Sequence, residues 1–385
     1  MRPILAVLLL TAALGPGSSA RAYTDLGIRP HWDDEAEVYL DLSMDDRLAK
    51  IDELEAPLRR GEAIDDSTRI ELIGLYRSSP LMKHRVVALE YTDELEGTDR
   101  LRQRALTLRR TFNPWDTREA LVEWGEIEPW NAEPQRRLAV EYLDEGLITQ
   151  DEEWFERGAE RFARAAELEG SNADHWRGIA VARIGARRLN ELTPIAERLL
   201  ELAPESPGSH LIAALSQEAT GAENRAALSF EQAFERMDPD TRYRFENPSA
   251  LRIVSGAGPF RPELVRAAPP VSDRGWWIRL IEVEALFSRP WDGANGWDTA
   301  AGQIYLKYGR PEFMRSYQHN SSGQIVNTPE LAPYRDLLSF QISSAPQPTP
   351  GADRYWVWLI RLSEERFYPV VFAQLTRFAS WGINS

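Results

Sequence analysis

The fold is decided by a stretch of sequence that occurs twice in succession. Residues 173–206 read ADHWRGIAVARIGARRLNELTPIAERLLELAPES, and residues 207–240 read PGSHLIAALSQEATGAENRAALSFEQAFERMDPD. Across this period of 34 residues, Ala180 meets Ala214. Small residues recur where two helices must approach closely, and large ones recur where a neighbouring groove must be filled. Because one helix pair cannot bury its apolar face alone, the stretch predicts stacked helix pairs.

These repeats resemble the tetratricopeptide repeat (TPR). The second helix of the later repeat carries Ala226, Phe230 and Ala233, which match the pattern of that family. An earlier, irregular repeat, displaced by an insertion around Ile148–Glu153, carries seven matching residues: Leu138, Ala139, Tyr142, Gly146, Ala159, Phe162 and Ala166. The resemblance covers residues 132–240.

The resemblance also implies where a partner would bind. In the TPR family, first helices of successive repeats line a concave groove that accepts an extended peptide. The groove-facing positions correspond here to six residues: Asp174, Arg177, Val181, Leu211, Leu215 and Glu218. Their mixed charge suits a peptide or protein segment.

Upstream of the repeats, residues 23–131 are predicted to be helices joined by short polar loops. The paired acids Asp45-Asp46 and Asp65-Asp66 precede apolar residues at helical spacing, where negative charge stabilises a helix N-terminus. The period of the repeats is lost in this region, so whether it holds further degenerate repeats stays open.

The first 22 residues have the pattern of a signal peptide. Arg2 supplies a short basic region, residues 4–14 form an apolar run too short to span a bilayer, and Ala20-Arg21-Ala22 is a small-x-small cleavage site. We expect cleavage after about Ala22, giving a periplasmic or secreted protein without membrane insertion. A retained N-terminal anchor is the alternative.

Downstream of the repeats, residues 241–272 are rich in proline and glycine and predict a linker. Apolar spacing predicts a helix over 274–288, and Pro369 indicates an edge strand or a bulge. Alternation predicts three strands: residues 302–308, 354–361 and 367–378. The predicted fold class is therefore multidomain α + β, with a helical-repeat solenoid followed by a strand-rich C-terminal domain over 273–385.

One motif in this last domain resembles the GWxTD domain, a family of exported bacterial proteins. Residues 296–311 read GWDTAAGQIYLKYGRP. The positions that match the family are Gly296, Trp297, Thr299, Gly302, Ile304, Tyr305, Tyr308, Gly309 and Pro311. Ala300 stands where the family has aspartate, so any role of that carboxylate is lost. The resemblance covers about 273–378 and implies a domain often found beside helical repeats, without an established activity.

Elementary chemistry gives the same motif a bracing role. Gly296 permits a close backbone approach, the Thr299 hydroxyl can hydrogen-bond the local turn, and the buried indole N–H of Trp297 is expected to find a carbonyl. Structural use of these residues is favoured over a ligand site.

Composition excludes several classes of function. A net charge of −15 repels nucleic acid and anionic membrane surfaces, so neither is an expected partner. The chain has no cysteine, which rules out disulfides, thiolate nucleophiles and thiolate metal ligands. An exported protein without disulfides fits a bacterial periplasm or exterior.

No catalytic residue, metal site or cofactor is predicted. The sequence has no Gly-x-Ser-x-Gly elbow and no lysine-bearing glycine loop for phosphates. Its 5 histidines do not share a metal-binding spacing.

Two functions remain in view. The first is a non-enzymatic scaffold that binds a protein or peptide partner of the cell envelope through the repeat groove. The alternative is an envelope-polysaccharide binder or a carboxylate-based hydrolase, motivated by six tryptophans crowded into the last domain: Trp276, Trp277, Trp291, Trp297, Trp356 and Trp358. A buried sheet face would explain the alternation of the last two equally well.

Overall fold

A computed structural model describes most of the chain. The described residues are 24–30, 42–79, 81–110, 114–149, 151–247, 272–288, 294–318, 322–336, 338–339, 354–361 and 367–374. The predicted signal peptide and its cleavage site lie outside them. Within the described residues, every helix is too short or too polar to cross a bilayer.

The chain divides into two compact units, and each is described by itself. The helical unit comprises His31–Tyr142 and Arg157–His175, and the mixed unit comprises Met1–Pro30, Leu143–Glu156 and Trp176–Ser385.

Five helices form most of the described part of residues 23–131, whereas Thr24–Pro30 is not helical. They are α1 (Met44–Arg59), α2 (Asp66–Arg77), α3 (Met82–Asp93), α4 (Gly97–Arg110) and α5 (Pro114–Ile127). The Ser43 hydroxyl accepts a hydrogen bond from Asp46 N at the start of α1, and the Asp65 carboxylate accepts one from Thr68 N, 2.7 Å away, at the start of α2. These side chains satisfy amide groups that the first helical turn leaves unpaired. Asp65 is one of the predicted acids, whereas at α1 the cap is Ser43 and the predicted Asp45 and Asp46 lie in the first turn.

The repeat region forms six further helices. They are α6 (Ala132–Thr149), α7 (Glu152–Leu168), α8 (Ala173–Gly185), α9 (Thr193–Leu202), α10 (Pro207–Ala219) and α11 (Glu223–Arg236). The period of the sequence is also the period of the structure, because α8 and α10 both begin and end 34 residues apart. The equivalent residues Ala180 and Ala214 are fully buried, and α10 packs against α9 and α11. The TPR-like fold is confirmed.

The irregular repeat differs in the length of its first helix. α6 has 18 residues, whereas α10 has 13. The extra turn lies where the sequence predicts an insertion, around Ile148–Glu153. The matching residues Ala139 and Phe162 are nevertheless fully buried, so the core of this repeat is kept.

The last part of the chain contains more helix than the sequence predicted. Its helices are α12 (Pro239–Glu246), α13 (Asp273–Phe287), α14 (Ala300–Tyr308) and α15 (Ser322–Asn327), with single 3₁₀ turns at Gly296–Asp298 and Pro329–Tyr334. α13 confirms the helix predicted over 274–288. α12 occupies the first residues of the predicted linker, and residues 248–271 of that linker lie outside the described part of the chain.

Three antiparallel strands form one sheet. They are β1 (Phe313–Gln318), β2 (Arg354–Arg361) and β3 (Phe367–Gln374), in the order β1-β2-β3. β3 is an edge strand, which accommodates Pro369 opposite Leu359 without losing an inner ladder bond. Val357 and Trp358 of β2 point to opposite faces and both are fully buried, so the central strand is covered on both sides.

The prediction of a strand over 302–308, and with it a strand-rich C-terminal domain, is wrong. These residues belong to α14, whose first turn is capped by Thr299: its hydroxyl accepts from Gly302 N at 3.0 Å. Ala301, Ile304 and Tyr308 are buried at helical spacing. A seven-residue apolar alternation fits both a strand and one face of a short helix, and here the cap favours the helix.

Candidate partner-binding surface

Three of the six residues predicted to line a groove on the repeats are buried. Val181, Leu211 and Leu215 are each no more than 1% exposed. They are core residues in this structure and have no accessible surface with which to contact a partner. The resemblance placed them on a groove because it considered the repeats without the rest of the chain.

The polar groove positions are partly covered. Glu218 lies 3.5 Å from the guanidinium of Arg274 on α13. A Cβ atom at Gly27 would lie 3.3 Å from Arg177 Nη2, which places the Arg177 side chain against the N-terminal segment. Asp174, in the helical unit, is partly buried at the start of α8. Partner contact by these three residues stays a prediction.

The N-terminal segment Thr24–Pro30 packs within the mixed unit. Leu26 and Ile28 are 2% and 1% exposed. A Cβ atom at Gly208, in the first turn of α10, would overlap the Gly27 carbonyl oxygen, so glycine is required for this approach. Thr24 pairs with Asn295 through two hydrogen bonds, Thr24 N to Oδ1 at 3.1 Å and Nδ2 to Thr24 O at 2.8 Å.

The GWxTD-like motif forms a tightly built turn. A Cβ atom at Gly296 would overlap the Val283 carbonyl oxygen, and one at Gly302 would overlap the Gly296 carbonyl oxygen. The Thr299 hydroxyl donates to Gly296 O at 2.7 Å. The close approach and the local hydrogen bond expected from the sequence are confirmed.

Trp297 is core, but not in the way the sequence suggested. Its side chain is 1% exposed and lies edge-on to Phe245 and beneath the Arg244 guanidinium. Its indole N–H has no hydrogen-bond partner among the described residues. The hydrogen bond to a carbonyl that the sequence predicted is therefore not found there. The cation above the ring supplies a favourable contact instead.

The remaining motif residues lie in α14 or directly after its C-terminal end. Tyr305 is fully buried and donates to Glu282 Oε2 at 2.7 Å. Tyr308 and Pro311 are buried, and Gly309 adopts φ +77°, a left-handed conformation that stops the helix. All of them brace the mixed unit, and none of them lines an open cleft in the described residues.

An open groove is found instead between α4 and α5 of the helical unit. Its cavity volume is about 440 Å³. The α4–α5 groove is lined by Gly97, Arg100, Leu101, Arg104, Asp116, Glu119, Ala120, Glu123 and Ile127. Leu101 and Ala120 belong to the hydrophobic core beneath it, which includes Trp124, so its floor is held by packing.

The two walls of the groove carry opposite charges that are differently compensated. On α4, Arg100 and Arg104 both reach Asp93, at 3.6 and 3.2 Å. On α5, Glu119 and Glu123 form no ion pair within the described residues. Two arginines and Asp93 face three acids of α5, Asp116, Glu119 and Glu123, so the net charge of the groove is negative.

Exposed apolar side chains flank this groove. Trp115 is 71% exposed and Trp130 72%, and Ile127 is 51% exposed. Trp115 and Ile127 stand 12 residues apart on one helix, which corresponds to about 18 Å. Exposed tryptophans are costly to hydrate and are enriched at protein interfaces.

Local interactions hold both tryptophans in place. Arg118 lies 4.7 Å from the centre of the Trp115 ring, a cation–π contact. Glu128 accepts hydrogen bonds from the Trp124 indole and the Asn131 amide, both at 2.8 Å, and these fix the turn that carries Trp130. The Asn131 and Trp124 hydrogen bonds also hold the pKa of Glu128 below its usual value.

Sequence reasoning missed this surface. The acids of α5 recur at positions 119, 123 and 126, one face of a helix, and two tryptophans flank them. That pattern was available. The exposure of the tryptophans could not be predicted from the sequence, because a tryptophan at helical spacing is usually in the core. Only the packing of the folded chain distinguishes a buried tryptophan from an exposed one.

The chain shows only weak similarity to known proteins. No protein-family model matches the chain, and no curated protein matches it. Among solved structures, "Crystal structure of MamA" is 16% identical with a TM-score of 0.37, covering 47% of this chain and 99% of that one. "MamA MSR-1 C2" is 19% identical with a TM-score of 0.34, covering 54% and 99%. Both TM-scores are below 0.5, so the helical-repeat fold rests on the helix pairs described above.

Proposed function

We propose that this chain is an exported protein-interaction scaffold whose α4–α5 groove binds a basic, partly apolar segment of a protein partner. One observation carries the proposal: exposed tryptophans lie near a groove in which Glu119 and Glu123 form no ion pair within the described residues. Interfaces concentrate their binding energy in tryptophan, and uncompensated charge selects a partner of opposite sign.

Charge and length together define the partner. Lys or Arg side chains would pair with Glu119 and Glu123, while an apolar side chain would contact Trp115 or Ile127. The separation of about 18 Å between those two accommodates a helix of three turns or a shorter extended segment. A protein partner in the cell envelope satisfies these requirements.

Export and family membership belong to the same proposal. The signal-peptide pattern of residues 1–22 and the absence of cysteine support a periplasmic or secreted location. The nine matching motif positions support a divergent GWxTD domain over 273–378. N-terminal sequencing of the protein from fractionated cells is expected to begin at Tyr23; an intact Met1 in the membrane fraction would contradict cleavage.

Three of the six tryptophans that motivated the polysaccharide alternative do not support it. Trp276, Trp297 and Trp358 are buried, so they offer no row of exposed indoles to a sugar. Trp291 lies outside the described part of the chain.

The groove is tested by capture from envelope extract with the full-length chain as bait. We expect Trp115→Ala, and separately the double change Glu119→Lys and Glu123→Lys, to reduce capture by at least about tenfold, and wild-type capture to weaken with salt. Tyr243→Ala is the control for the first, since Tyr243 is 58% exposed on α12. Glu160→Lys is the control for the charge reversal, on the exposed face of α7.

Circular dichroism of each variant verifies the fold. Capture that survives both test variants would refute the groove as the binding surface. If the wild-type chain bound a glycan on an array and Trp115→Ala did not, the ligand of this groove would be a glycan. That result would refute a protein partner.

A further inference from the structure

Three arginines from separate parts of the mixed unit converge on one place. Arg187 follows α8, Arg279 lies on α13, and Arg310 follows α14. Arg310 Nη2 donates to Gly185 O, 3.1 Å away, which puts its guanidinium at the end of α8, beside Arg187. A Cβ atom at Gly309 would lie 3.0 Å from Arg279 Nη2, so the Arg279 guanidinium lies against the residue that precedes Arg310.

The three guanidinium groups are not neutralised. None of them forms an ion pair with a carboxylate within 4.0 Å among the described residues. Arg279 donates to two backbone carbonyls, Leu306 O at 2.9 Å and Lys307 O at 3.3 Å. By contrast the adjacent Arg188 is paired with Glu152 at 2.9 Å and with Glu156 at 3.0 Å.

Among the described residues, the carboxylate of Glu282 lies near this arginine cluster, and it is already engaged. Glu282 Oε2 accepts the hydrogen bond of Tyr305. Arg310, Arg279 and Arg187 all act on Glu282 electrostatically, so the cluster holds three positive charges and at most one negative charge. Burial raises the pKa of Glu282, which reduces its capacity to compensate them further.

The positive charge of this cluster is only partly compensated within the described residues. Burial lowers the pKa of Arg279 and of Arg310, and Arg187 repels Arg310. Arg310 Nε is buried and has no hydrogen-bond partner among the described residues. Backbone carbonyls at helix ends accept hydrogen bonds from one nitrogen of Arg279 and one nitrogen of Arg310. Because carbonyls carry no net charge, these bonds do not neutralise the guanidinium groups.

We propose that Arg187, Arg279 and Arg310 bind an oxyanion, the phosphate or carboxylate group of a ligand. Guanidinium groups match both in geometry, because two parallel N–H groups bind two oxygens. Arg187 is exposed, whereas Arg279 and Arg310 are half-buried, so its side chain is the most accessible of the three to a ligand. The site lies in the mixed unit and goes beyond the partner-binding groove of the helical unit.

Calorimetric titration of the full chain with inorganic phosphate, and separately with succinate, tests the site. We expect millimolar or tighter binding of at least one probe, weakened about tenfold or more in Arg187→Ala. Arg188→Ala is the matched control: it removes the same side chain at the next position, where the guanidinium is already paired, and should bind as wild type. Binding of phosphate alone identifies a phosphate group, and binding of succinate alone identifies a carboxylate.

A second variant tests the geometry. Arg310→Lys keeps the charge but loses the planar fork, and we expect it to bind more weakly than wild type at unchanged ionic strength. Its melting temperature without anion reports whether the fold is intact. The proposal is overturned if neither probe binds at millimolar concentration, or if Arg187→Ala and Arg188→Ala bind equally well.

Discussion

At the scale of single residues, Glu284 is a carboxylate buried inside the mixed unit. It is 1% exposed, and its carboxylate accepts hydrogen bonds from Gly296 N at 2.8 Å and from the Asn295 amide at 3.2 Å. Burial raises its pKa to about 8, although these hydrogen bonds and the nearby Arg29 act in the opposite direction. Glu284 thus connects α13, the GWxTD-like motif and, through Asn295, the N-terminal segment.

This raised pKa predicts a loss of stability with rising pH. The folded chain binds the Glu284 proton more tightly than the unfolded chain, whose pKa is near 4.5, so the stabilisation is complete below 4.5 and declines as pH rises towards about 8. We expect the free energy of unfolding of wild type, relative to Glu284→Gln, to fall by at least about 1.4 kcal/mol between pH 5 and pH 8.5. Denaturant titrations at both values measure it, and a constant difference would contradict the assignment.

Individual residues also show what sequence reasoning can reach. The close approach at Gly296 and the turn hydrogen bond of Thr299 could be predicted, because each follows from what the residue type permits locally. The burial of Glu284 could not be predicted, because an acid on an amphipathic helix is usually solvated and its partners lie in another segment. The arginine cluster was missed for the same reason.

At the scale of elements, one hydroxyl decides the structure of residues 300–308. Thr299 caps α14, accepting from Gly302 N. We expect Thr299→Ala to destabilise the chain by about 1 kcal/mol or more, and Thr299→Ser, which keeps the hydroxyl, to lose much less. Thermal unfolding of the two variants measures the difference; equal melting temperatures would show that the cap is not needed.

Elements were predictable where their pattern was long. The repeat helices show the same period in sequence and structure, because more than sixty residues share it and every helix pair must bury a face against the next. α14 was not predictable from seven alternating residues. Over so short a stretch, the apolar residues on the buried side of a helix and those on the buried face of a strand give nearly the same sequence pattern. The α4–α5 groove needed the neighbouring helices to be placed first.

At the scale of the whole molecule, the segment Thr24–Pro30 is needed by the mixed unit. Leu26 and Ile28 are both buried within it. We expect Leu26→Asp to lower the free energy of unfolding by several kcal/mol, because it buries an unpaired charge. Leu228→Asp, at a position 56% exposed on α11, should cost less than about 1 kcal/mol.

Denaturant unfolding of these two variants, followed by tryptophan fluorescence, measures both effects. Equal stability of the two variants would mean that the N-terminal segment contributes nothing to the fold. This packing was not predictable from the sequence, because seven residues with two apolar positions resemble an ordinary linker between a signal peptide and a domain.

The pairing of Thr24 with Asn295 has a consequence for synthesis, since it closes a loop of 271 positions. A chain emerging from the ribosome presents Thr24–Pro30 long before Asn295, which holds this segment, has been made. The entropy of closing so long a loop must be overcome before these contacts form. The contacts between Thr24 and Asn295 can therefore form only after most of the chain has been made, so the mixed unit completes its fold late in synthesis.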